Sequence, residues 1–380
     1  MDGVKQRTGW GYETLVREVS DSLHLRRFCL IALTERVPDE STIRKLCRRL
    51  GPDVCRRVIA GAVRERRFVA RAARIDSTVV EADIRCRTDL GLAADATRTL
   101  AREAAAAARL AGAGAPHVQD RSRATNRRLR TLNRTLARRT GQGKAEALRL
   151  TGAAGELATR SVRETRRLRE RARGRGAQTK LAAARRLERL ADRADKVCRQ
   201  IRRRIAGEQI TDRLVSISDP DARPIRKGKA GKSTEFGYVF QVCEITANTR
   251  RGARGLIVPA ASQIGSPNES DLLPATGAEL DALGIAPREL ALDGGFAPGP
   301  VDEHLPGAQR TFIAGRRSAG SRRTDRRLAR YRVGAEGRIS HLKRGYGLRR
   351  SRLKRHDGAR TWVAWGILAY NLDTLAIRAA

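Results

Sequence analysis

The sequence predicts an α/β protein: a core of strands and helices, preceded by a helical region and interrupted by a long basic helical insertion after its first strand. Three observations predict it. Strand-like apolar segments stand at 66–76 and again beyond residue 210. Residues 101–206 are instead an island of alanine, leucine and arginine with helical spacing. The segment 362–377 is an apolar helix of the kind that packs against a sheet.

Residues 1–65 read as helical. Tyr12, Leu15, Val16 and Val19 recur at helical spacing, and Ile43, Leu46 and Leu50 repeat it. Between them residues 37–42 form a Pro-bearing turn in which Ser41 or Thr42 can cap the next helix. These short arginine-bearing helices fit a DNA-binding element, and equally a packing module with a solvated basic face. From 66 to 76, Phe68, Ala70 and Ala72 lie on one side of a strand and Val69, Ala73 and Ile75 on the other, so the strand ends at Asp76.

The insertion, 101–206, holds 30 basic and 9 acidic residues, a net of +21 out of +38 for the chain. Leu187, Leu190, Ala194, Val197, Ile201 and Ile205 follow the seam of a helical hairpin or short coiled coil, and Leu129, Leu132 and Leu136 make a shorter stripe. Glycines at 112–114, 141–143 and 174–176 read as turns. No aromatic residue lies between Val69 and Glu235, so the arginines here can hold phosphates but cannot stack on bases. Beyond residue 210, strands are expected at 236–245, 255–260, 289–292 and 311–314.

Composition narrows the partners. Across 380 residues, 79 lysines and arginines face 41 acidic residues, an excess that points to a polyanion, with nucleic acid ahead of an anionic membrane. No apolar run of 18 residues and no signal-like segment is present, so a soluble cytoplasmic protein without membrane contact is expected. The six cysteines form no Cys-x-x-Cys pair and read as reduced thiols; a zinc site would have to be assembled from distant segments.

Two aspartates follow strands, where open α/β sheets expose functional groups. Asp76 closes one, and Asp293 closes another ahead of Gly294 and Gly295, which permit a tight turn and a close substrate approach. Each alone also fits a helix cap. A third feature is Arg332-x3-Glu336-x6-Lys343 on a predicted helix. Glu336 lies about 40° and Lys343 about 20° from Arg332 around the axis, so the three share a face. Alone, that face also fits a surface ion-pair row. Together, three carboxylates from two strand ends and a helix supply the hard oxygen ligands that a pair of divalent cations needs to cut a phosphodiester.

The arrangement resembles the ribonuclease H-like catalytic domain of DDE insertion-sequence transposases with an Arg-x3-Glu-x6-Lys signature. The likeness runs through Gly9-Trp10-Gly11-Tyr12, Asp76-Ser77-Thr78-Val79-Val80-Glu81-Ala82-Asp83, Asp219-Pro220-Asp221, Lys232 to Tyr238, Asp293-Gly294-Gly295-Phe296 and Ala369-Tyr370-Asn371-Leu372. It implies a catalytic domain built on a mixed sheet flanked by helices over 66–100 and 207–380, with 1–65 as the helical region before it and 101–206 as the insertion. It also implies that Asp76, Asp293 and Glu336 bind two Mg²⁺ ions, for which Mn²⁺ substitutes, while Arg332 and Lys343 position the DNA backbone. The implied reaction is hydrolysis at the inverted-repeat ends of the protein's own element. Attack of the freed 3′-hydroxyl on target DNA follows, carried out by a homodimer that joins two ends.

Three positions depart from the pattern. Ala329 stands where the signature tyrosine is expected, with Tyr331 nearby. Cys86-Arg87 replaces the more usual aromatic and proline. The chain opens close to Trp10, where relatives carry a further helix, so a shortened and inactive copy is the corresponding expectation. The alternative function is a non-catalytic one, a decayed transposase or basic DNA-binding protein. Glu81 and Asp83 read as turn or cap residues, His341 as a surface histidine, and Trp362 and Trp365 as core.

Overall fold

The computed structural model describes residues 1–65, 67–85, 88–111, 114–137, 141–173, 178–226, 234–316 and 320–379. In chain order, α1 (Asp2–Thr8), α2 (Tyr12–Asp21), α3 (Leu23–Phe28), α4 (Glu40–Leu50) and α5 (Asp53–Arg64) precede β1 (Ala72–Ala82). Four long helices follow: α6 (Asp89–Ala111), α7 (Ser122–Ala137), α8 (Gly141–Arg173) and α9 (Gln178–Ile205). Next come β2 (Arg223–Ile225), β3 (Glu235–Thr246), β4 (Leu256–Ile257) and β5 (Ala261–Gln263). A 3-10 turn at Ser270–Leu272 leads into α10 (Leu273–Ala282), β6 (Glu289–Leu292), α11 (Pro298–His304) and β7 (Arg310–Ile313). The chain closes with α12 (Arg322–Gly345), β8 (Arg350–Ser351) and α13 (Arg355–Ala379). These elements form two compact units, Met1–Asp83 with Pro224–Ala380, and Ile84–Arg223. The helical unit is thus wider on both sides than the compositional island at 101–206.

The first unit is α/β. Its open mixed sheet of eight described strands runs β2-β3-β1-β6-β7, with β4 and β5 paired to β3 and β8 to β1. Strand β1 is central and has two different partners. It is antiparallel to β3 from Ala72 opposite Thr246 to Glu81 opposite Gly237. It is parallel to β6 only from Ala72 beside Glu289 to Ile75 beside Leu292.

This corrects the strand expected at 66–76. The strand begins at Ala72, runs through Asp76 and ends at Ala82; Arg66 lies outside the described residues. Thr78, Val79 and Val80 are β-branched and suit an extended backbone, and β3 supplies a hydrogen-bonding partner past the aspartate. What ends just before Asp76, at Ile75, is the parallel ladder. Beyond Gly255, only Leu256 and Ile257 pair as β4, so the strand expected at 255–260 is shorter.

The opening helices bury part of their predicted stripes. Leu15 and Val19 are fully buried with Val4 and Val37, and Ile43 is buried, whereas Leu46 is exposed. Cys47 packs against Trp365 and Leu368 of α13, and the Trp365 indole N–H donates to the Cys47 carbonyl at 3.1 Å. Trp362 and Trp365 are buried, as core residues should be. The cap of α4 is Asp39 rather than Ser41 or Thr42. Its Oδ1 accepts from the backbone N–H of Ser41 (2.8 Å) and Thr42 (3.0 Å), because a carboxylate one residue outside the helix can reach two orphan donors. Hydrogen bonds from Ser41 and Thr42 hold its carboxyl well below the ordinary range.

Helix α12 is fastened to the sheet by a buried charge cluster. Arg74, two residues before Asp76 on β1, donates through Nε (2.8 Å) and Nη2 (2.6 Å) to Oε2 of Glu244 on β3. Both side chains are 3% exposed or less. The other Glu244 oxygen accepts from Arg338 Nε on α12 at 2.9 Å and from Gly255 N at 2.9 Å. Arg74 also donates to the carbonyl oxygens of Tyr331 (3.0 Å) and Ala253 (2.9 Å). Gly334 is where α12 crosses this cluster; a Cβ there would lie 1.8 Å from Arg74 Nη1.

The second unit is a helical bundle with its own core. Leu90, Leu100, Leu132, Ala154, Ala158, Val162, Ala194, Val197 and Ile201 are buried together. The predicted seam on α9 is buried at Leu187, Ala194, Val197 and Ile201, and only partly at Leu190, while Ile205 is exposed. Leu129 packs on the core and Leu132 is within it, but Leu136 is exposed. Gly141 to Gly143 are not a turn. They open α8, and the positions just before them, like 112–113 and 174–177, lie outside the described residues. Buried Asp89 binds Gln200 Nε2 (2.7 Å), Arg204 and Arg213 (3.1 Å), tying α6 to α9 and the chain after it. The five described cysteines are free thiols. Among the described residues no helix is long and apolar enough to cross a membrane.

Removing one member of a buried ion pair leaves the other charge without compensation and costs about 3–5 kcal/mol. Glu244→Ala should therefore lower the urea midpoint of the first unit by a corresponding amount. A change as small as that of an exposed pair, below about 1 kcal/mol, would mean that the cluster does not hold α12.

Candidate metal centre

Asp76 and Asp293 come together because their strands are neighbours. Ile75 and Leu292 are the last paired residues of the parallel ladder, and each is followed by an aspartate. The turn after Asp293 is tight, with Phe296 N donating back to the Asp293 carbonyl at 3.3 Å.

A third carboxylate completes the cluster, and it belongs to Glu269 rather than Glu336. One carboxylate oxygen from each of Asp76, Glu269 and Asp293 lies within 4.8 Å of the other two, the only such group of ligands for a metal ion among the described residues. Glu269 arrives on the turn between β5 and α10. Its carbonyl accepts from Gln241 Nε2 of β3 at 2.7 Å, and the neighbouring Ser270 Oγ accepts from Ala297 N at 3.0 Å. Gly295 makes the space: a Cβ there would stand 2.2 Å from Glu269 Oε2. The second glycine after Asp293 therefore accommodates a carboxylate of this chain.

The Arg332, Glu336 and Lys343 face of α12 lies beside this cluster. Arg332 Nη1 is 3.3 Å from Asp293 Oδ1 and 3.7 Å from Glu336 Oε1. Glu336 and Lys343 line the same cavity of about 1210 Å³ as the three clustered carboxylates. Glu336 is 66% exposed on its side chain and is outside the tight group. Arg226, Arg344 and Arg349 add three more cations to the wall. The cavity thus joins carboxylates to a cationic lining, with no aromatic side chain among the described residues that line it.

Electrostatics indicate what kind of ligand suits this cluster. The Asp76 carboxyl is pushed from 3.8 up to about 6, first by burial and then by the charges of Asp293 and Glu336. The Ser77 backbone N–H, 2.7 Å from Oδ1, and Arg332 pull the other way without cancelling the rise. Three hard oxygen donors with excess negative charge fit an oxygen-seeking divalent cation, which would relieve that repulsion. The residues present could hold a metal ion.

Other predicted residues have local roles. Glu81 Oε2 accepts from Arg350 Nη2 at 2.9 Å, joining the ends of β1 and β8. Tyr331 does not replace the tyrosine missing at Ala329: it is 1% exposed and its hydroxyl bonds Thr246 Oγ1 at 2.6 Å. His341 is half-buried, edge-on to Tyr346 and Tyr370 at 5.3 and 6.0 Å, with Nδ1 3.3 Å from Arg338 Nη1. It belongs to the aromatic packing behind α12, not to an open surface.

Fold and site together define an α/β protein with a three-carboxylate centre able to bind a metal ion. No family model, no curated protein and no solved structure matches the chain.

Two measurements follow from this geometry. Mn²⁺ titration calorimetry should find affinity reduced roughly tenfold or more by Asp76→Asn, Glu269→Gln and Asp293→Asn, and less by Glu336→Gln; the reverse ranking would place the ion elsewhere. The second concerns protons. Because the folded value of Asp76 lies above its unfolded one, its stabilising effect is full below about pH 4 and is lost as pH rises through about 6. In chelator, Asp76→Asn should therefore melt above the unaltered protein at pH 8, the gap closing toward pH 4. No gap at pH 8 contradicts this assignment.

Proposed function

We propose that this chain is a DDE-type transposase, cutting DNA at the inverted-repeat ends of its own element and joining the freed 3′-hydroxyl to a target phosphorus, with a 3′-hydroxyl of the target strand leaving. The observation that carries the reading is the convergence of Asp76, Glu269 and Asp293 within 4.8 Å in a cavity that also presents Glu336, Lys343 and three arginines. Carboxylates suit the metal, and cations suit the phosphodiester. The mixed sheet, antiparallel on one side of β1 and parallel on the other, supports a ribonuclease H-like assignment for this unit. The chain's net charge of +38 supports DNA as the partner.

In this reading Asp76, Glu269 and Asp293 hold one Mg²⁺, and Glu336 is the further carboxylate available to a second; Mn²⁺ substitutes for either. Bound there, divalent ions supply activation of water and stabilisation of the leaving oxygen in an in-line displacement. Arg332 keeps the Asp293 carboxylate oriented through its 3.3 Å contact. Lys343, with Arg344 and Arg349, holds the backbone phosphates beside the bond to be cut. Two ends have to be joined, so the working form is a homodimer.

A supercoiled plasmid carrying the gene with its flanking DNA provides the test. Strand cleavage should require Mg²⁺ or Mn²⁺ and should fall by orders of magnitude in Asp76→Asn, Glu269→Gln, Asp293→Asn and Glu336→Gln. Salt-sensitive binding without cleavage under any metal would instead assign a non-catalytic DNA-binding protein.

A further inference from the structure

We propose that helix α7 of the helical unit is a docking surface for the sugar-phosphate backbone of duplex DNA, made by Arg123, Arg127, Arg130 and Arg134. This goes beyond the metal-centred reading and does not depend on it.

The four arginines are spaced 4, 3 and 4 residues apart, which places them within about 60° of one another around the axis. All four are exposed. The opposite side of the same helix is committed to the bundle: Thr125 and Leu132 are buried, and Leu129 packs against the core. The arginine row therefore has a fixed orientation on a rigid support.

Its charge is partly compensated at one end only, where Asp120, ahead of the helix, attracts Arg123. No acidic residue occurs anywhere in α7, and none of the four arginines forms a salt bridge among the described residues. Several other arginines of the unit are paired. Arg98 pairs with Asp95, Arg102 with Glu103, Arg149 with Glu146 and Arg199 with Asp195. A row of four cations with so little compensation carries a self-repulsion that a line of phosphates removes, with release of the counterions condensed on the duplex.

Size and composition select the partner. Eleven residues of helix extend about 16 Å, enough to face about five phosphates of one strand at about 3.4 Å of duplex axis each. No aromatic residue lies in Ile84–Arg223, so stacking on unpaired bases is absent and single strands are not favoured. A membrane surface is disfavoured as well, because a helix lying in lipid headgroups needs an exposed apolar face, and here Leu129 and Leu132 are turned into the bundle, with Leu136 the one exposed leucine of the helix.

The test uses the full chain carrying Asp76→Asn, in chelator, with a random-sequence duplex, so that neither cleavage nor metal binding contributes. The variant R123Q/R127Q/R130Q/R134Q is compared with a charge-matched control, R98Q/R102Q/R149Q/R199Q. Glutamine preserves helix propensity, and circular dichroism checks that both remain folded. Losing four phosphate contacts should flatten the log affinity against log salt slope by about 3 to 4, so that the parent's advantage over the variant shrinks about 100-fold between 50 and 200 mM salt. The control should retain most of the parental slope. Equal flattening in both variants would make the effect one of net charge and overturn the proposal, as would an unchanged slope in the α7 variant. Tighter binding of the parent to vesicles rich in phosphatidylserine than to the duplex, lost in the α7 variant, would also overturn it by making the partner a membrane.

Discussion

The buried charge cluster of Arg74, Glu244 and Arg338 is the constraint on which the placement of the candidate centre depends. Two cations and one anion are held largely out of water across β1, β3 and α12: one oxygen of Glu244 takes two bonds from Arg74, and the other is shared between Arg338 and the Gly255 N–H. Such an arrangement is costly unless every group is paired. Its geometric demand is therefore strict. Helix α12 can lie only where Arg338 reaches Glu244 and where Gly334 clears Arg74. With residues 74 and 76 on the same face of β1, that placement brings Arg332 and Glu336 alongside Asp76 and Asp293.

Ordering behind the site and repulsion within it are linked. The sheet and α12 hold several carboxylates closer than water-exposed acids would settle, and burial raises the Asp76 carboxyl to about 6. A fold that concentrates anions in this way stores unfavourable energy that a divalent cation releases on binding. Arg332 offsets only part of it. It contacts Asp293 and Glu336, leaving Glu269 to other surroundings. The cationic wall of the cavity is of opposite sign and suits a substrate that brings its own phosphates.

Much of the fold was legible because its signals are local. The apolar run at 289–292 coincides with β6, and the seam on α9 is largely buried. Strand β1 was misplaced because alternation in Phe68 to Ile75 looks the same inside a strand as before it; only the long antiparallel partner β3 fixes its true extent. Asp76 and Asp293 were legible through the residues around them. Glu269 was not. It lies in a turn, 24 residues before Asp293, with no periodicity or motif to mark it, and tertiary folding alone brings it in. Gly295 was the one available sign: paired glycines indicate that something approaches the backbone closely, without saying that it is the chain's own carboxylate.

The central claim is that Asp76, Glu269 and Asp293 together form a divalent metal site. Crystals soaked in Mn²⁺ test it most directly, by anomalous scattering. The account predicts a peak bounded by oxygens of all three residues. A peak ligated by Glu336 without Glu269, or no peak near Asp76 at saturating Mn²⁺, would contradict it.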